Sequence, residues 1–440
     1  MIDLRKYLPG IRVTADNRDH SCREMSPESC REVVLNVRAN SANGAASKLA
    51  EQLAGPNLVL PWLLQLIGTP VWMFGFLMPI KQSFSLLPQL VIAGQIRRLA
   101  VRKWVWVGCG MIQALCLLLM IPAALWLSPL AAGLVLLGLL IVFSSASGAA
   151  SVAFQDVLGK TVSKGQRGKL LARRALYGGI LTTAAGLLLN HNRQAQNDLG
   201  AVLLLLFFAA VLWGTAALLF GLIREVPGAS AAGRNVIEEV REGRRLLRTE
   251  RGFARFLQAR ALLLSVELAT PFYVLHATRT LELQGSDIGT LIIAVGLSQI
   301  LSSPFWGRMA DRTSKNVMAT SALIAGGSAL LALGLPLAPA VLRPWGYFLV
   351  FILIGLAEAG VRLGRKTYLV DATPDAQRAT YTAFSNSLIG AIALLSGVSG
   401  LIAHWLGATF MMAVIGGLML AAYLACRRMP EADAMLSTTA

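Results

Sequence analysis

The chain has 440 residues, 55% of them hydrophobic and only 14% charged, with 40 Lys and Arg against 23 Asp and Glu. A soluble globular protein carries about 25% charged residues, so a soluble enzyme and a disordered chain are excluded. The apolar stretches run for ~20 residues rather than alternating in short dyads, which argues against an outer-membrane barrel. What remains is an all-α polytopic membrane protein, and its net charge of +17 points first to basic loops that fix topology rather than to nucleic acid.

Residues 1–49 read as a polar cytoplasmic tail: they mix both charge signs and lack the apolar core of a signal peptide. Any helix there is expected beside the first span. Apolar segments then follow one another from about residue 50 to residue 426, room for twelve spans of ~20 residues with their loops. The first pair fills 50–96, with a turn near Gly68-Thr69-Pro70, and Pro56, Pro61, Pro70 and Pro79 blur its helix ends. Spans over 104–127, 130–154, 170–189 and 199–223 complete an N-terminal six-helix bundle, 50–223. A central cytoplasmic loop, 224–255, spaces Val236, Val240 and Leu247 among charges in the manner of an amphipathic surface helix. Spans over 256–276, 288–306, 317–337, 345–363, 381–404 and 408–426 form a C-terminal six-helix bundle, 256–426, with a short tail over 427–440.

Basic residues test this layout. With the N-terminus placed in the cytoplasm, 36 of the 40 Lys and Arg fall in alternate loops and the two tails. That bias puts both termini inside a cytoplasmic (inner) membrane and accounts for the net charge without nucleic acid. The five cysteines (Cys22, Cys30, Cys109, Cys116, Cys426) show neither CxxC nor metal-ligand spacing, and the four histidines are scattered, so no metal or cofactor is expected. No phosphate-binding G-x-x-x-x-G-K-[ST] loop occurs, since Gly159-Lys160-Thr161 lacks the upstream glycine, and a primary pump is disfavoured.

Two loops echo one another half a chain apart. After the eighth span stands Gly307-Arg308-Met309-Ala310-Asp311-Arg312-Thr313-Ser314-Lys315; after the second stands Gly94-Gln95-Ile96-Arg97-Arg98-Leu99-Ala100-Val101-Arg102-Lys103. Glycine allows close helix approach, and an acid can pair with cations or a helix N-terminus. The first loop is similar to the G-x-x-x-D-R-x-G-R-K signature of the major facilitator superfamily; in the second the acidic position is Arg98. A further pair, Asp156 leading to Arg167 and Asp371 leading to Arg378, follows the fourth and tenth spans as it does in that superfamily. The resemblance covers roughly residues 50–426. It implies two six-helix bundles related by an axis along the membrane normal, around a cavity that opens alternately to either side. It also implies cytoplasmic gate roles for Gly94, Arg98, Arg102, Gly307, Asp311, Arg312, Asp156, Arg167, Asp371 and Arg378. The fifth span, 175–180, lacks the glycine-proline motif of the superfamily's antiporters, which weighs against drug–proton antiport.

Ionisable groups at lipid depth are the candidates for function, since each costs ~2.5–3.5 kcal/mol to place there. Glu267 lies mid-span in a stretch otherwise free of charge, placed to load and release a proton. Lys81 interrupts the second span and either binds an anion, pairs with Glu267, or snorkels to the outer interface. Glu358 and Arg362 sit four residues apart in the favourable pair orientation, with Arg362 near the cytoplasmic face as a gate residue. Gln65, Gln89 and Asn386 complete the candidate substrate and proton site. These residues point to a monomeric secondary active transporter of a small solute, proton-coupled and acting in the lipid bilayer; the alternative is a non-transporting sensor or membrane-anchored partner of the same fold.

Overall fold

The computed structural model describes residues 31–96, 99–162, 164–191, 199–227, 236–280, 288–310, 313–373 and 378–432, and contains no strand among them. The first half holds α1 (Val33–Leu53), α2 (Val59–Ile67), α3 (Phe74–Ile96), α4 (Lys103–Trp126), α5 (Pro129–Thr161), α6 (Lys164–His191) and α7 (Leu199–Gly221). A linking helix α8 (Val236–Thr249) follows, at the place where an amphipathic helix was expected. The second half holds α9 (Arg251–Thr280), α10 (Ile288–Ala310), α11 (Ser314–Gly334), α12 (Arg343–Asp371), α13 (Arg378–Leu395), α14 (Val398–Leu406) and α15 (Ala408–Arg427).

Local chemistry sets the helix ends. Gly68 closes α2 in a left-handed conformation (φ 77°) that a β-carbon would disfavour, and the Thr69 N–H donates back to Leu64 O at 3.0 Å. The expected turn therefore lies at Gly68-Thr69. Pro129 opens α5, where its missing N–H is not needed. Thr313 caps α11 by accepting the Asn316 N–H at 3.1 Å.

Each half packs its helices in the same order. In the first, α4 lies on α5 and α7, α3 on α5, and α1 on α6 and α7; in the second, α11 lies on α12 and α15, α10 on α12, and α9 on α13 and α15. The halves meet where α6 runs along α10 and α3 along α13. Small residues make both contacts possible. A β-carbon on Gly296 of α10 would stand 2.4 Å from Thr183 Oγ1 of α6, and one on Gly75 of α3 would stand 2.1 Å from Gly400 Cα of α14. Gly75 and Gly400 lie at the end of the bundle opposite the loops 99–102, 162 and 224–227, here termed the basic end. Leu115, Leu188, Leu218 and Leu330 are exposed on the flanks, and Trp126, Trp345 and Trp405 ring the end opposite the basic one, as lipid-facing surface and an interfacial belt would be.

Among the described residues, eight helical segments are long and apolar enough to cross a membrane. The expected twelve crossings are reached only by adding α1–α2, α3, α6 and α10. These four pack against other helices where the eight face outward, so fewer of their residues need be apolar; α3 and α10 carry shorter apolar segments, 71–87 and 290–302. At the centre stands α9, with 83% of its most apolar window buried against 28–56% in the other seven segments.

The polar segment drawn over 1–49 is helical from Val33, and the first crossing starts there rather than at residue 50. Its polar residues recur at helical spacing on one buried face: Asn36, Asn40, Asn43 and Ser47. Asn43 Nδ2 donates to Ala216 O of α7 at 2.8 Å, Arg174 Nη1 of α6 donates to Asn40 O at 2.9 Å, and Asn36 exchanges two hydrogen bonds with the backbone of Arg224. The helices are also longer than the spans: α5 runs to Thr161 and α12 to Asp371, which brings Asp156 and Arg362 inside helices rather than loops.

Candidate functional site

The first crossing is interrupted at 54–58, where Pro56 cannot supply an N–H and Leu60 restarts the ladder by donating to Gly55 O at 3.1 Å. Interrupted helices leave backbone and side-chain polar groups at depth, the arrangement by which transporters build midplane sites. Four charged groups and two neutral ones converge here. Glu51, in the last turn of α1, accepts from Lys48 Nζ at 2.8 Å and from Lys81 Nζ of α3 at 3.2 Å. Asn57, inside the break, points Nδ2 at Glu358 Oε2 of α12 at 3.5 Å, while Thr270 Oγ1 of α9 donates to Glu358 Oε1 at 2.9 Å. The first half and the second thus share the Glu358 carboxylate.

One turn from Thr270 toward the basic end lies Glu267, buried, with Oε1 3.9 Å from Arg365 Nη1 and Oε2 without a hydrogen-bond partner. Arg362 acts electrostatically on both Glu51 and Glu358, so it faces the seam between the halves, yet it is exposed there. Lys366, one turn further along α12, is exposed in the field of Arg365, Arg362 and Lys48. An exposed guanidinium and ammonium between two bundles mark space open to water. Closer to the basic end, the buried Arg260 guanidinium donates to Ser385 Oγ and, at 2.7 Å, to Asn386 Oδ1 of α13. Asn386 Nδ2 lies 3.5 Å from Gln89 Oε1, and Gln89 Nε2 donates to Ser85 O at 2.8 Å, so α9, α13 and α3 are joined by one polar chain.

The candidates read from sequence are partly brought together. Lys81 pairs with Glu51, not with Glu267, because α1 interposes a carboxylate that the sequence reading had left in the tail. Glu358 turns to Thr270 and Asn57 rather than forming the i, i+4 ion pair with Arg362. Gln89 and Asn386 meet through their amides, whereas Gln65 is exposed in the last turn of α2, beside the Gly68 turn and away from the charges. Six site residues were not anticipated: Lys48, Glu51, Asn57, Arg260, Arg365 and Lys366. Among the described residues no three His, Cys, Asp or Glu side chains cluster to hold a metal ion.

At the basic end, Arg102 Nη1 meets Asp156 Oδ2 at 2.6 Å, joining two of the expected gate residues. Beside them Glu225, its side chain fully buried, accepts the backbone N–H groups of Arg102 at 2.8 Å and Lys103 at 2.7 Å and pairs with Lys160 at 2.7 Å. It caps the N-terminus of α4, where a carboxylate is favoured by the exposed N–H groups and the helix dipole. The second half places Glu431 after α15 as Glu225 stands after α7, and Glu431 reaches Lys315 at the start of α11 at 3.3 Å. Arg98, Asp311 and Arg312 lie outside the described residues, as do the side chains of Arg167, Asp371 and Arg378 and the surroundings of Gly94 and Gly307.

Residues 256–437 match the family model described as Major Facilitator Superfamily. Uncharacterized proteins of Mycobacterium tuberculosis and Mycobacterium bovis are each 24% identical over 258 residues, 58% of this chain and 49% of theirs, so the match spans about half the length of these curated relatives. Among solved structures, the nucleoside transporter NupG superposes with a TM-score of 0.67 at 17% identity, covering 89% of this chain and 99% of that one. The D-xylose-proton symporter superposes with a TM-score of 0.64 at 14% identity, covering 91% and 98%. At these identities the likeness establishes the fold. With its C-terminal half matching the superfamily's own model and nine-tenths of its length adopting the fold of these transporters, the chain belongs to the major facilitator superfamily.

Proposed function

We propose that the chain is a secondary active transporter that carries a small solute across a cytoplasmic membrane by alternating access, coupled to protons and working as a monomer with its basic end in the cytoplasm. The observation that carries this reading is the cluster of Glu51, Lys81, Glu267 and Glu358 at the break of the first crossing, contributed by both halves. Charged groups at this depth are costly and are retained where a solute or ion passes. Groups shared across the seam also feel any rocking of one half against the other, which is what couples occupancy to the side of opening.

Glu267 is the group we assign to the proton. Its carboxylate is buried, holds Arg365 only at 3.9 Å, and has one oxygen without a partner. Protonation removes its attraction for Arg365 and frees α12 to shift relative to α9. The solved relatives by fold include a nucleoside transporter and a D-xylose-proton symporter, so both solute translocation and proton coupling occur on this architecture.

Counterflow in proteoliposomes tests the reading: vesicles preloaded with a metabolite mixture take up a labelled member of it against the label's gradient if the chain transports. A chain that exchanges nothing across a broad metabolite panel is instead a sensor or membrane-anchored partner.

A further inference from the structure

We propose that the solute is a small organic anion bearing a carboxylate or phosphate, held by Arg362 and Lys366 of α12 together with Lys48 of α1; this names the solute class for the transporter reading above and rests on it. The seam between the halves carries Lys48, Lys81, Arg260, Arg362, Arg365 and Lys366 against Glu51, Glu267 and Glu358. All three carboxylates are engaged: Glu51 by two lysines, Glu267 by Arg365, and Glu358 by Thr270 and Asn57. The cations are not. Arg362 and Lys366 have no hydrogen-bond or ion-pair partner among the described residues and both are exposed. Arg260 is buried, bonded only to the neutral side chains of Ser385 and Asn386, with its Nε unsatisfied.

Uncompensated cations at this depth demand a counter-charge, and the protein withholds one. Lysines and arginines that merely hold topology lie in loops and reach the headgroups. Arg362 and Lys366 instead project into the seam, where the first acts on Glu51 across the halves and the second on Lys48. Four residues apart on one helix, they stand one turn or ~6 Å apart, a spacing that lets two cations grip the oxygens of one acid group. The planar guanidinium fork matches carboxylate and phosphate geometry. A neutral solute would leave both charges without a partner in the loaded state as well as in the empty one.

The test places a single thiol among these cations. Ala359→Cys, on the same stretch of α12 in a background whose native cysteines are serine, is labelled in full-length protein in nanodiscs with sulfonatoethyl and trimethylammonioethyl methanethiosulfonates. The anionic reagent should be favoured at least tenfold relative to a free thiol in solution. The preference should collapse in Arg362→Gln/Lys366→Gln and survive in the charge-keeping Arg362→Lys/Lys366→Arg, which controls for folding. Citrate, gluconate or phosphate should slow the labelling, while glucose and uridine should not. Preference for the cationic reagent, protection by a neutral solute, protection by none of the anions, or slowing only when phosphatidylglycerol replaces phosphatidylcholine in the nanodisc would each overturn the proposal, the last by assigning the cations to lipid headgroups. Counterflow separates the two readings. A protecting anion that fails to exchange removes the transporter and leaves the anion site, and exchange of a neutral solute alone does the reverse.

Discussion

Lys81 and Glu51, thirty residues apart in the chain, stand 3.2 Å from one another at the break of the first crossing, with Lys48 closing on the second oxygen of the same carboxylate at 2.8 Å. One carboxylate thus serves two lysines on two helices, and its removal leaves both without a partner. Deleting one member of a largely enclosed pair costs more than the pair contributes, because the remaining charge stays desolvated. Glu51→Gln should therefore lower stability by about 1–3 kcal/mol, read as a drop in Tm of the detergent-solubilised protein. Lys81→Met alone should cost less, since Glu51 keeps Lys48, and adding Lys81→Met to Glu51→Gln should restore part of the loss. A double variant no better than Glu51→Gln would show that the two residues do not share an interaction.

Gly75 and Gly400 allow α3 and α14 to touch backbone to backbone at the end opposite the basic one, since a β-carbon on Gly75 would lie 2.1 Å from Gly400 Cα. Neither backbone can retreat without parting the two halves there. Gly75→Ala should open that end, and Gly75→Val should do so more strongly. Under the proposed orientation, impermeant thiol reagents added outside should label a cysteine placed at Trp72 several-fold faster in these variants. Equal labelling rates would mean that the contact does not seal the outer side.

Much of the fold was readable from the sequence, and the places where reading stopped share a cause. Apolar run length finds helices that face lipid, so α4, α5, α7, α11 and α15 fall close to their expected bounds. It fails for α1, whose burial is against protein and whose contacts are made by asparagine. The spacing of Asn36, Asn40, Asn43 and Ser47 was the available signal, since small polar residues on one face of a helix mark close interhelical packing. Charge counting misled in a complementary way. Lys48, Arg260, Arg362, Arg365 and Lys366 were absorbed into a bias that assigns basic residues to cytoplasmic loops, although all five stand on helices. Topogenic and functional cations have the same composition, and only placement against a partner helix separates them. Glu267 was legible because a lone acid in an apolar run has no loop to be assigned to.

Proton coupling through Glu267 has a specific signature. A glutamine keeps the shape and hydrogen-bonding capacity of the protonated acid but cannot release a proton. Glu267→Gln should therefore retain counterflow, which needs no net proton movement, and lose accumulation driven by an imposed pH gradient. The wild type should accumulate or expel solute in proportion to that gradient, and the variant should only equilibrate it. Loss of both activities would assign Glu267 to solute binding or folding, whereas retention of both would move the proton site to Glu358 or elsewhere.

The basic ends of the two halves repeat one device at different strength. Glu225 is fully buried, caps two N–H groups of α4 and pairs with Lys160, whereas Glu431 meets Lys315 with half of its side chain in solvent. Removing Glu225 leaves two helix N-terminal donors and an ammonium without their acceptor, a loss of about 3–5 kcal/mol for a buried charge partner. Removing Glu431 costs no more than about 1 kcal/mol, the range of exposed pairs. Glu225→Ala should accordingly lower Tm far more than Glu431→Ala. Glu225→Gln should fall between them, because the amide oxygen still accepts one N–H. The contrast extends to salt: the Glu431 pair is screened at high ionic strength and its variant should approach the wild type there, while the Glu225 variant should stay destabilised. If the two alanine variants lose equal stability, the first half is not the more firmly clasped of the two. The asymmetry would then have to come from the loops bearing Arg98 and Asp311 rather than from the acids that follow α7 and α15.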